Sequence, residues 1–133
     1  MRNYSNIDKF IIKADEILKT FSIKSSGRSY PAKNLEDNEL TKNERELVTN
    51  LMRVNHAGEV AAQGLYIGHA LASKSSSQRE MMLEMASEEK DHLIWCGKRI
   101  NELGGRTSLF DPIWFVGSMG LGVLSSFTSD RNA

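Results

Sequence analysis

Between Thr41 and Gly105 the apolar residues recur at steps of three and four, and the pattern breaks once, at Ser73–Ser77. That period predicts two long α-helices joined by a short turn, which must pack antiparallel. The first opens at Thr41-Lys-Asn-Glu44, a capping box in which Glu44 reaches back to the amide of the cap residue. It should run to about Ala72. Its Leu47, Leu51, Val54, Gly58, Ala61 and Leu65 form a heptad-like seam. Ala57, Gly58, Ala61, Ala62, Gly64 and Gly68 are small. A glycine inside a helix costs roughly 1 kcal/mol against alanine, so three of them point to close helix approach or a functional constraint. The second helix should run from about Gln78 to Leu103, where Gly104-Gly105 stops it.

The flanks divide the rest of the chain. Ile7, Phe10, Ile11, Ala14, Ile17, Leu18 and Phe21 make one apolar stripe, with Asp8, Lys9, Lys13, Asp15, Glu16 and Lys19 opposite. Residues 1–22 are thus an expected amphipathic helix, and two readings stay open: docking on the protein's own core or lying on a membrane surface. Residues 23–40 read as a linker, rich in Ser, with Gly27 and Pro31. Residues 41–103 hold the helix pair. After a loop, Pro112 opens a third helix over 112–127, a stretch with no charged side chain that is apolar enough to be buried or to face a bilayer. No run of about 20 apolar residues predicts an orthodox transmembrane helix. The start fits neither a signal nor a transit peptide. No strand pattern emerges, so the expectation is a single all-α domain over 1–133.

Composition removes several function classes. Lys+Arg and Asp+Glu balance at 17 each over 133 residues, so no basic field attracts nucleic acid. One cysteine, Cys96, rules out an intramolecular disulfide and any multi-cysteine zinc site, and suits a reducing compartment.

The chemistry is concentrated in Glu89-Lys-Asp-His92. Side chains at i and i+3 share one helix face and can share a metal. A bare Glu-x-x-His is often a solvated pair, but here Met82, Met85, Glu89, His92, Cys96 and Leu103 fall on the stripe expected to be buried. A carboxylate there is costly unless paired or bound to a cation. Glu59 repeats the pattern among Ala57, Gly58, Val60, Ala61 and Ala62 on the preceding helix; alone, it would pass for a boundary glutamate. A lone Glu on one helix and Glu-x-x-His on the next are half of the ligand set of di-iron carboxylate bundles. Glu59, Glu89 and His92 are therefore the candidate metal ligands. His56 reads as structural, or as a fourth ligand. Arg53 and Asn55 could hydrogen-bond the ligating carboxylates. His69 reads as structural and Cys96 as core packing; Asp91, off the ligand face, reads by default as a surface residue, though in such bundles it could orient a histidine across the site. The glycines of Gly117–Gly122 follow no strand, which argues against a nucleotide loop.

These residues give the chain its resemblance to the demethoxyubiquinone hydroxylase family. It is carried by Leu51-Met-Arg-Val-Asn-His-Ala-Gly-Glu59-Val, by Glu89-Lys-Asp-His92-Leu, and by the apolar stretch from Pro112-Ile-Trp114 to Gly122. Tyr4 to Leu18 resembles the N-terminal helix of bacterial members. The resemblance implies a ferritin-like bundle holding two irons and a late ring hydroxylation in ubiquinone synthesis. By it, Glu59 would be a terminal ligand, Glu89 a bridging ligand and His92 a nitrogen ligand. The partners implied are demethoxyubiquinol, dioxygen and a membrane surface. The location implied is peripheral, on the cytoplasmic face of the bacterial inner membrane.

The same family carries a second lone Glu and a second Glu-x-x-His on two later helices. Here the last Glu is Glu102, and the chain turns polar at Thr128–Ala133. The expectation is the N-terminal half of such a bundle, a C-terminally truncated product. It is either inactive or completed by a homodimer, in which two copies supply four Glu and two His. Two rival readings are a non-catalytic quinone- or membrane-binding remnant and an oligomeric half-ferritin that binds iron.

Overall fold

A computed structural model describes residues 5, 7–8, 11–12, 28–34 and 39–129. The predicted amphipathic helix over 1–22, much of the linker and the polar tail lie largely outside the described residues. Three helices organise the remainder: α1 (Lys42–Ala72), α2 (Ser76–Glu102) and α3 (Asp111–Ser129). No strand occurs among the described residues. The chain is all-α, consistent with a ferritin-like helical fold.

Local chemistry accounts for the helix ends. The Thr41 hydroxyl accepts from the Glu44 amide, while the Thr41 amide donates to Glu44 Oε2 at 2.9 Å, completing the capping box. Ser75 caps α2 by accepting from the Gln78 amide at 3.4 Å. Gly104 takes φ +76°, a left-handed conformation that costs glycine little. Its amide donates to the Asn101 carbonyl at 3.0 Å and that of Gly105 to the Ile100 carbonyl at 2.9 Å, a Schellman closure of α2.

α1 is the shared neighbour, packed against α2 and against α3. The α1–α2 pair is antiparallel: Gln63 Nε2 donates to the Ala86 carbonyl at 2.9 Å, and eight residues earlier Asn55 Nδ2 reaches Cys96 Sγ at 3.6 Å. α3 returns parallel to α1, with His56 beside Asp111 at its start and His69 Nδ1 2.8 Å from Ser125 Oγ near its end. Glycines set this second contact. A Cβ on Gly68 would overlap the Met119 carbonyl, and one on Gly122 the Leu65 carbonyl. Gly64 and Gly68 of α1 thus serve the approach of α3, whereas space around Gly58 is open.

The heptad-like seam needs correction. Leu47, Leu51, Val54 and Leu65 are exposed, Val54 by 72%. The buried side of α1 instead carries His56, Val60, Gln63, Gly64, Ile67, Gly68 and His69. The physical reason is geometric: α2 and α3 pack on α1 from other directions and leave Leu47, Leu51 and Val54 exposed.

Candidate metal centre

Glu59 lies near the middle of α1, and Glu89 and His92 lie in the middle of α2. The antiparallel pairing brings the three together. One ligand atom from each falls within 4.8 Å of the other two, and among the described residues this is the group suited to a metal ion. His92 Nδ1 is 3.2 Å from Glu89 Oε2, one helical turn apart. All three are half-buried rather than enclosed. The cluster opens onto a hollow of 410 Å³ lined by Leu51, Met52, Val54, Asn55, Gly58 and Glu59. The exposed seam therefore forms one wall of the site.

The electrostatics describe two carboxyls held closer than two charges tolerate. Burial, and then the hydrogen bond and charge of Glu89, push the Glu59 carboxyl up to about 7. The hydrogen bond from Glu59 holds Glu89 below the usual carboxylate range, against burial and with help from His92 and Arg28. The pair titrates as a unit and holds its last proton up to about pH 7. That proton sits where a cation would offset the same repulsion. Two carboxylates and an imidazole are the donor set that suits iron and similar divalent ions, so the residues fit a metal.

The neighbours are used differently from expectation. His56 is not part of the cluster. Its ring is buried and Nδ1 lies 3.2 Å from Asp111 Oδ2, tying α1 to the start of α3. Burial lowers the His56 pKa against the pull of Asp111. Arg53 donates to the Arg106 carbonyl at 2.9 Å and to Asn50 Oδ1 at 3.0 Å, holding the α2–α3 loop rather than a ligating carboxylate. Asn55 donates to Cys96 instead. Cys96 is buried, which raises its thiol pKa and keeps it inert, as core packing requires. Asp91 corrects the surface reading: it is buried and paired with Arg28 Nε at 2.8 Å. Three contributors were not singled out from sequence. Gln63 joins the helices one turn beyond Glu59, Asp111 anchors α3, and Arg28 reaches α2 from the linker. Only Gln63 carried a signal, a polar residue four positions past a candidate ligand.

Comparison with known proteins bears on this arrangement. A family model described as "Ubiquinone biosynthesis protein COQ7" matches residues 46–133, which include the Glu59, Glu89 and His92 cluster. The chain belongs to the COQ7 family. COQ7-family relatives named 3-demethoxyubiquinol 3-hydroxylase agree with that membership. One from Legionella pneumophila (strain Paris) is 43% identical over 134 residues, covering 98% of this chain and 63% of the relative. One from Chromobacterium violaceum is 43% identical, covering 94% and 61%. One from Pseudomonas aeruginosa (strain LESB58) is 44% identical, covering 98% and 61%. The chain thus spans about three fifths of the length of these COQ7-family relatives. No solved structure matches it.

Proposed function

We propose that Glu59, Glu89 and His92 are ligands of a carboxylate-bridged di-iron centre, and that the chain serves a quinol hydroxylase acting on the demethoxyubiquinol ring. The observation that carries this reading is the two-helix cluster itself, two carboxyls and an imidazole with one ligand atom each within 4.8 Å of one another. The names of the relatives supply the substrate class. When bound, iron would supply the electron transfer and reactivity toward dioxygen that protein side chains lack. The protein's own part is to hold the donors. Glu59 would release its proton on binding the metal, Glu89 would bind as a carboxylate beside it, and His92 would supply the nitrogen donor. The hollow beside Glu59, walled by Leu51, Met52 and Val54, offers an apolar place for a quinol ring.

A membrane surface suits the same reading. Ile113, Trp114, Val116, Leu121, Leu124 and Phe127 of α3 are exposed, and Leu109 and Phe110 before them are too. No described helix is long and apolar enough to cross a membrane; the exposed apolar side chains of α3 would lie on the bilayer surface, where a polyprenyl substrate is held. Completion of a two-iron site calls for donors beyond these three. The exposed seam beside the cluster suits a second copy of the chain, which would bring another Glu and another Glu-x-x-His. Iron stoichiometry on a sizing column tests that pairing: two irons per dimer would support it, and an iron-free monomer would exclude it.

The test of the reaction is iron-loaded protein given reduced quinone substrate under ¹⁸O₂. Quinol-dependent oxygen consumption with one labelled atom in the ring is expected. Iron uptake and oxygen consumption without quinol dependence would favour an iron-binding half-ferritin instead.

A further inference from the structure

Residues 28–34 lie beside α2, outside the stretch matched by the family model. From there Arg28 touches α2 at three points. Its Nε donates to Asp91 Oδ2 at 2.8 Å, and its Nη2 donates to the Glu88 carbonyl at 3.3 Å. Its guanidinium carbon sits 5.5 Å from the centre of the Trp95 ring. Residues 88, 91 and 95 bracket the two ligand positions of this helix, 89 and 92. The Trp95 ring in turn lies against His92, with centroids 5.5 Å apart and planes tilted by 45°. A second anchor follows two residues on, where Lys98 Nζ lies 4.5 Å from the Tyr30 ring.

Arginine is suited to this place. Its planar fork can bond a carboxylate and a carbonyl together while its face stacks on an indole, which a lysine ammonium cannot do. Asp91 is buried, so its charge needs a cation or donor close by. A ligating imidazole also depends on what orients its ring, and losing such an outer contact typically weakens metal binding by about 10- to 100-fold.

We propose that Arg28 is a positioning residue of the metal centre, gathering Glu88, Asp91 and Trp95 so that this turn of α2 presents Glu89 and His92 in register. Arg28 acts through the Trp95 ring and the α2 backbone. The proposal rests on the reading of Glu59, Glu89 and His92 as ligands.

The experiment is a Co(II) titration of the full chain, followed by visible absorption, with helicity checked by circular dichroism. Arg28→Met is expected to bind Co(II) about tenfold more weakly, with Arg28→Lys in between. In a Trp114→Phe background, the change in Trp95 emission on Co(II) binding should shrink in the same order. Because Arg28→Met leaves Asp91 buried without its guanidinium, the double variant Arg28→Met/Asp91→Asn serves as the folding control. It should recover helicity and thermal stability yet keep the weakened Co(II) affinity. Wild-type affinity in the double variant would overturn the proposal and leave Arg28 a purely structural residue. Arg28→Met with wild-type affinity would overturn it as well. His92→Ala separates the two readings: unchanged Co(II) binding there removes the ligand assignment itself, whereas loss there with full binding in Arg28→Met removes only the role of Arg28.

Discussion

The two sides of α1 solve opposite problems. Toward α3 it is closed: Gly64, Gly68 and Gly122 let the backbones touch, and His56 and His69 are buried against Asp111 and Ser125. Toward the Glu59, Glu89 and His92 cluster it is open: Leu47, Leu51 and Val54 are exposed, and Gly58 has empty space where a Cβ would lie. The closed side carries the stability of the described fold. The open side carries the proposed metal ligands beside an apolar wall. An exposed apolar stripe bordered by polar donors is the usual mark of an interaction surface.

Substitutions can break this contrast, and the largest effect is expected on the closed side. Gly68→Leu forces a branched side chain into the Met119 backbone and should cost about 3 kcal/mol or more, read as a shift in urea midpoint. Next comes the cluster. Glu59 holds a proton to about pH 7 in the folded, metal-free chain but only to its ordinary value of 4.5 when unfolded. A raised carboxyl pKa stabilises the fold fully below 4.5, and that contribution is lost as pH rises through about 7. The unfolding free energy of metal-free wild type should therefore fall relative to Glu59→Gln across that window, while metal affinity rises because the proton must leave.

The open side should be quieter. Val54→Gln exposes nothing new in the described chain and should change stability by no more than about 0.5 kcal/mol. A larger loss, dependent on protein concentration, would reveal a second copy on the seam. The one expected gain lies on this side too: Gly58→Ala meets no neighbour and should stabilise α1 by about 0.5–1 kcal/mol. A loss would mean that the open face is covered.

Much of this was legible from residue order. The capping box at Thr41, the serine turn and Gly104-Gly105 mark helix ends by local chemistry, so they could be read without knowing the fold. The cluster was legible because a carboxylate and an imidazole interrupt apolar stripes on two helices that a short turn makes antiparallel. Which side of α1 is covered was not legible. Periodicity identifies an apolar stripe but not the neighbour that buries it, and the glycine face outcompeted the heptad seam for α3. Asp91 was misjudged for a related reason: its partner Arg28 lies 63 residues away in a segment with no periodic pattern. The His56–Asp111 tie likewise joins residues whose proximity depends on the path of the loop between α2 and α3.

The central claim is that Glu59, Glu89 and His92 bind one metal centre together. Its most direct test is anaerobic Fe(II) binding, measured by competition with a chromophoric chelator, in wild type, His92→Ala and Glu84→Gln. Glu84 is an exposed residue of the same helix, outside the cluster. The expected result is at least a tenfold loss of affinity in His92→Ala and none in Glu84→Gln. Equal Fe(II) affinity in all three proteins would contradict the account.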